Sequence, residues 1–345
     1  LPFDSLEAPQ PHVTAGEPEN NKATSADLSN FHGLTNTVVA QNQAHTAKTN
    51  TLVKGMHGNA IKLTGDDPVE IPNTGQFSRD QPFSVALWIN TAEVSERAVI
   101  YRHSRGWDDA GSIGYELTKL GAKLSAKLSH FWPGNAICVE TDEVLTAGAW
   151  YHVAVTYDGS SKAGGLRIYI NGQPARRTVV QDQLTRHITQ WSGGEHKLAI
   201  GSRYRDRGFK DGMVDDFFVF DRAIAALEVR QLFDRESLEK ALARPIEALS
   251  TKQRAELLEF FLLAEHEPSK EARTALRKAR QQWNQAMDAT PAITVMREQP
   301  TPRPAFVLRR GGYDDRGDRV TAGTPEFLPE FPHDQPANRL GLARW

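Results

Sequence analysis

The sequence predicts a mainly β chain, an antiparallel sandwich or barrel followed by helices, and three observations carry that expectation. Short β-type runs separated by Gly, Pro, Asn and Asp clusters fill the first two-thirds. Many short strands with turn signals between them fit packed antiparallel sheets better than β-α-β units. The run WYHVAVTYDGS (150–160) alternates with period two and stops at Asp158-Gly159-Ser160, a strand closed by a turn. Beyond Asp221 the apolar spacing changes to three and four, the helical period.

In chain order the expected strands are AIKL (60–63), VEIP (69–72), FSVALWIN (83–90), AVIYRH (98–103), GYELTKL (114–120) and KLSAKLSH (123–130). AICVET (136–141), WYHVAVTYD, GLRIYING (165–172), HKLAIGS (196–202) and MVDDFFVFD (213–221) complete them. A further strand is expected at Leu1–Ser5, and the polar, Asn- and Thr-rich stretch 17–51 reads as a surface excursion. Ile224, Leu227, Val229, Leu232 and Phe233 fit a short amphipathic helix, and SLEKALARP a second. Helices are expected at 250–266, opened by Ser250 as N-cap, and at 267–289, with Pro268 in its first turn. The simplest arrangement of these two is an antiparallel helical hairpin. The domains are therefore 1–234 for the sandwich, 235–290 for the hairpin linker and 291–345 for an irregular tail. Two short apolar pieces, ITVMRE and AFVLRRG, interrupt that tail. The start LPFDSLEAP has neither an initiator Met nor a signal-peptide layout, and RLGLARW reads as the opening of a helix, so a piece of something longer is expected.

The 345 residues are 39% hydrophobic and 24% charged, and 41 basic against 43 acidic residues leave a net charge of −2. Such a balance supplies no field for nucleic acid or an anionic membrane. No apolar run approaches the roughly 18 residues a membrane span needs. The single cysteine, Cys138, cannot form an internal disulfide, and no CxxCH haem motif is present. Its place in a strand pattern points to a buried structural thiol.

The series GNAIKLTGDDPVEIP, FSVALWIN, WYHVAVTYDGS, LRIYINGQPA, KLAIGSR and DGMVDDFFVFDRAI resembles a laminin G-like module of the concanavalin A-like lectin/glucanase superfamily. The resemblance covers about 1–234. It implies a two-sheet jelly roll and an extracytoplasmic place, periplasmic or secreted. The helical segment with VMRE, PRPAFVLRRGGYDD and NRLGLARW also resembles large planctomycete-type secreted proteins, where cytochrome c-like and uncharacterised domains flank such a module. There PRPAFVLRRG opens a C-terminal domain of unknown function, which would be truncated here.

Three loops hold the distinctive aromatic and charged residues. Trp107, Asp108 and Asp109 lie in HSRGWDDAGS, Trp132 in SHFWPGN, and Arg203, Tyr204, Arg205 and Asp206 in GSRYRDRGFKDG. Flat aromatic faces suit pyranose C–H groups, and guanidinium and carboxylate groups suit hydroxyls. If the loops meet they form a ligand-binding rim; the alternative is that Trp132 packs beside Pro133 and the charges pair with one another. Asp215 and Asp216 are adjacent, so one points inward and needs a backbone amide, an arginine or calcium. Asp158 either ties its turn or joins such a calcium site. For hydrolysis the related glucanases carry an ExDxxE-like strand, whereas GYELTKL has only Glu116. No GxSxG, HExxH, P-loop or GxGxxG motif occurs.

The expectation is a non-catalytic recognition module for carbohydrate or another extracytoplasmic ligand, its helices meeting flanking domains of a parent protein. The alternatives are a structural spacer that positions haem-bearing or catalytic neighbours and, further off, a glycoside hydrolase.

Overall fold

The computed structural model describes residues 45–46, 50–92, 97–105, 112–189, 197–202, 208–291, 293, 304–311 and 315–345. The expected strand at Leu1–Ser5, nearly all of the excursion 17–51, and most of ITVMRE lie outside these residues. Two compact units divide the chain, 1–290 and 291–345.

The first unit is a sandwich of two antiparallel sheets. One sheet contains β1 (His45–Thr46), β4 (Val69–Pro72), β6 (Arg97–Arg105), β7 (Ile113–Leu120), β8 (Lys123–Phe131), β9 (Asn135–Thr141), β13 (Arg177–Asp182) and β14 (Lys197–Ile200). Its order is β1-β4-β14-β6-β7-β8-β9-β13. The other contains β2 (Thr51–Lys54), β3 (Asn59–Lys62), β5 (Phe83–Asn90), β10 (Trp150–Tyr157), β11 (Leu166–Ile170), β12 (Gln173–Pro174) and β15 (Met213–Phe220). Its order is β12-β11-β10-β5-β15-β3-β2.

Period-two alternation builds the core. Val85, Leu87 and Ile89 of β5 and Val153, Val155 and Tyr157 of β10 face Tyr115 and Leu117 of β7 and Leu124, Ala126 and Leu128 of β8 across the interior. The strands at 69–72 and 83–90 occur as expected from the sequence. β2, β12 and β13 were not, because TLVK, QP and RTVVQD are polar or short edge segments with few buried side chains.

The Asp158-Gly159-Ser160 turn follows β10. Gly159 has φ +73°, and a Cβ there would sit 2.5 Å from the Asp80 carbonyl oxygen, so the turn and the chain packed against it both require glycine.

Helix α1 (Ala226–Asp234) lies on the outer face of the seven-stranded sheet. Val229 and Leu232 pack there on Ala86, Ala154, Tyr169 and Phe220. The buried Glu228 carboxylate accepts from the Ala225 N–H at the start of α1 and pairs with Arg222. Helices α2 (Ser237–Leu242) and α3 (Thr251–Phe260) follow, and Leu238 and Phe260 close a small core with Leu227. Ser250 caps α3 as expected, accepting from the Gln253 N–H at 3.3 Å. The helical run to residue 266 is not uniform, since Phe261–Glu265 forms a π-helical turn before α4 (Glu267–Ala289).

Polar arms hold the end of α4 to the sandwich. Arg186 donates to the carbonyls of Met287, Asp288 and Thr290 at 2.7, 2.8 and 2.6 Å. Arg79 reaches Asp288 at 3.2 Å, and Arg280 donates to the Asp158 carbonyl at 2.7 Å.

The second unit contains a hairpin of β16 (Ala305–Leu308) and β17 (Arg316–Val320), with Arg316 over the Phe306 ring at 5.4 Å. Its helix α5 (Arg339–Arg344) is capped by Asn338, whose side chain accepts from the Gly341 N–H.

Candidate functional site

The inward alternation of β7 and β8 sends a second set of side chains to the outer face of the eight-stranded sheet. Across that face the register aligns Arg102, Glu116, Lys127, Cys138 and Gln181 on β6, β7, β8, β9 and β13. A neighbouring row runs through Ser104, Gly114, Ser129 and Ala136. Thr118, Ser125 and Glu140 continue the pattern on the other side.

These polar residues face away from the apolar core, yet Glu116, Lys127 and Ser129 are only 3%, 6% and 0% exposed. A charged row so well screened is covered rather than open to water. Glu116 Oε1 lies 3.0 Å from Lys127 Nζ and 3.6 Å from Arg97. Arg102 donates to the Ser202 and Ser104 carbonyls. The buried hydroxyls of Ser104 and Ser129 find no hydrogen-bond partner among the described residues. Burial pushes the Cys138 thiol up to about 11, with a contact to Ser125 Oγ at 3.3 Å, so it is an inert part of this row.

Of the expected rim, the structure describes Trp132 alone. It sits in the β8–β9 turn, half-buried, with its ring 4.8 Å from Lys127 Nζ. The cation over the ring links the turn to the polar row. Trp107, Asp108, Asp109, Arg203, Tyr204, Arg205 and Asp206 lie outside the described residues. The row itself was legible as alternation, with Leu124, Ala126 and Leu128 interleaved by Ser125, Lys127 and Ser129. What sequence inspection of the loops missed was that these intervening residues line up across strands.

The carboxylates considered for calcium each have other partners. Asp158 Oδ1 accepts from the Ser160 N–H at 2.9 Å, which ties the turn. Asp215 accepts from the backbone N–H groups of Met56, His57 and Asp216 at 2.9, 3.0 and 2.8 Å. Burial, and after it the Asp216 charge, hold the Asp215 carboxyl above the usual range, although the His57 N–H pulls it down. Asp216 Oδ2 meets His57 Nδ1 at 2.7 Å and Arg235 at 2.9 Å. Both aspartates therefore belong to the outer side of the seven-stranded sheet, where they join the β2–β3 turn to the end of α1. The expected inward carboxylate is absent because β15 breaks its alternation there, with Asp216 at φ +45° and the register shifted between Asp215 and Phe218. Among the described residues no group of three or more His, Cys, Asp or Glu side chains is arranged to hold a metal ion.

Residues 63–230 match the model of a family described as Laminin_G_3, concanavalin A-like lectin/glucanases superfamily. That segment is similar to laminin G-like domains. No curated protein matches the chain. Among solved structures, the binding domain of Paraclostridial Mosquitocidal Protein 1 is similar at 16% identity and TM-score 0.44, over 56% of this chain and 48% of that one. The receptor binding domain of botulinum neurotoxin D is similar at 15% identity and TM-score 0.44, with the same coverage. The serotype D ligand binding domain in complex with N-acetylneuraminic acid is similar at 14% identity and TM-score 0.43, over 56% and 46%. The chain spans about half the length of these structures. The part of the polar row on β6 to β9 lies inside the matched segment. No helix among the described residues is long and apolar enough to cross a membrane.

Proposed function

We propose that the laminin G-like domain is a non-catalytic recognition module that binds carbohydrate, acting outside the cytoplasm as one part of a longer secreted protein. The observation that carries this reading is the buried row Arg102–Glu116–Lys127, with the unpartnered Ser104 and Ser129 hydroxyls beside it. A buried hydroxyl with no partner is unfavourable in a domain whose only task is to fold. A sugar hydroxyl, donor and acceptor at once, satisfies such groups, and the Trp132 ring adds an apolar face for C–H groups. Hydrolysis of a glycosidic bond calls for two carboxylates across the scissile bond. Glu116 is the one carboxylate of its row among the described residues, and it is already tied to Lys127 and Arg97.

The reading assigns no calcium to Asp158, Asp215 or Asp216, because backbone amides, His57 and Arg235 engage their oxygens. A glycan-array screen of the whole chain, run with calcium and again with chelator, tests it. Binding in both arms is the expected result. Silence in both arms favours the alternative, a spacer that sets neighbouring domains at a defined place. The Arg186 and Arg79 contacts that hold α4 to the sandwich would serve that role.

A further inference from the structure

Helix α4 presents its faces in reverse of an ordinary amphipathic helix. The residues that meet the rest of its unit are polar: Arg273 donates to the Leu262 and Leu263 carbonyls, Arg280 to that of Asp158, and Asn284 to the Asp80 carboxylate. Asn284 is the buried residue of the helix. A quarter turn away, Ala272, Leu276, Ala279, Trp283 and Ala286 fall within an arc of about 80°, and all five are exposed. Leu276 is 49% and Trp283 68% open to water. Single exposed apolar side chains are ordinary, but an ordered row of them along one helix marks a contact surface.

We propose that this stripe pairs with the same stripe of a second copy of the chain, antiparallel about a two-fold axis at Ala279. The row reads small, large, small, large, small in either direction from Ala279. A face used by both partners of a two-fold contact must complement itself in that way. Leu276 of each copy then opposes Trp283 of the other, Ala272 opposes Ala286, and the central alanines let the helices approach closely. Charge permits the pairing. The outer flank positions are Ala275 and Gln282, both uncharged, which face one another across the axis. On the inner flank, Arg280 is turned into the Asp158 carbonyl. The stripe is about 21 Å long, so a lone helix pair lies at the small end of specific interfaces, and the dimer is weak and reversible.

Sedimentation velocity of the whole chain from about 1 µM to about 500 µM tests the pairing, a range chosen for so small an interface. The expected result is a sedimentation coefficient that rises with concentration. The double substitution Leu276→Ser, Trp283→Ser is expected to weaken association at least about tenfold, with the circular dichroism spectrum unchanged. Ala279→Cys places a thiol on the axis, within disulfide reach of its copy, and the native Cys138 is buried and does not compete. Mild oxidation of that variant is expected to give covalent dimer, whereas Thr274→Cys on the opposite side of the helix stays monomeric. A monomer at every concentration with no cross-link at 279 overturns the proposal and leaves the stripe to a different protein. So does a dimer that survives the double substitution.

Discussion

The imidazole of His57 lies 2.7 Å from Asp216 Oδ2, while the backbone N–H of the same residue donates to Asp215 Oδ2 at 3.0 Å. Two adjacent carboxylates thus hold one residue of the β2–β3 turn, by ring and by backbone. Asp215 also takes the Met56 N–H, so it closes a turn distant in sequence. Asp215→Ala strips the partner from buried amides, and bonds to a charged acceptor are worth about 1.5–3 kcal/mol each. Urea denaturation is expected to show a loss of about 3 kcal/mol, and Asp215→Asn a smaller one. Addition of calcium or chelator is expected to change neither midpoint.

Beside this pair, Trp88 stands between His57 and His152, with ring centroids 5.7 and 5.4 Å away. Burial first, then the neighbouring His57, lowers His152 from 6.5 to about 4. The unfolded chain therefore binds the proton more tightly than the folded one. Stability falls as pH drops from about 6.5 towards 4, by up to about 3 kcal/mol. His152→Gln removes that component. Denaturant titrations at pH 7 and pH 4.5 are expected to give a smaller difference for the variant than for the parent. Equal differences would rule out His152 as the source.

How far these sites could be read beforehand varied with the physical signal. Strands such as FSVALWIN announce themselves because both faces are buried, and Asp158-Gly159 announces its turn. Adjacency marks Asp215 and Asp216 as a pair of which one needs a partner. The partners, Met56 and His57, lie more than 150 residues earlier, and nothing local in DGMVDDFF or KGMHGNA names that pairing. The polar row followed the same rule, since alternation gives Lys127 a face and only strand register places it beside Glu116. Loops drew the eye to Trp132. Its link to the row through Lys127 appears only in three dimensions.

The end of α4 depends on Arg186, which donates to the carbonyls of Met287, Asp288 and Thr290, the first of which also accepts from the Thr290 N–H. Arg186→Ala removes the arm and the favourable charge at the helix C-terminus. Amide exchange at the last turn of α4 is expected to accelerate by roughly tenfold or more, which corresponds to about 1.4 kcal/mol of local stability. The strands of the core keep their protection. Uniform loss across the domain would instead mean that α4 and the sandwich unfold together.

Ser129 separates folding from recognition. Its hydroxyl is fully buried on the outer face of β8 and has no partner among the described residues. For folding alone, Ser129→Ala removes a desolvated polar group and is expected to raise stability by about 1 kcal/mol. For a domain that offers this hydroxyl to a sugar, the same change removes a hydrogen bond from the complex and weakens binding about five- to tenfold. Functional sites commonly show this opposition between stability and affinity. Thermal denaturation and titration against a glycan identified on the array measure the two effects on one variant. A melting temperature that rises with affinity unchanged would detach Ser129 from the binding row and move the ligand to the loops around Trp132. A fall in both would show that the hydroxyl has a structural partner and that the row serves the fold alone.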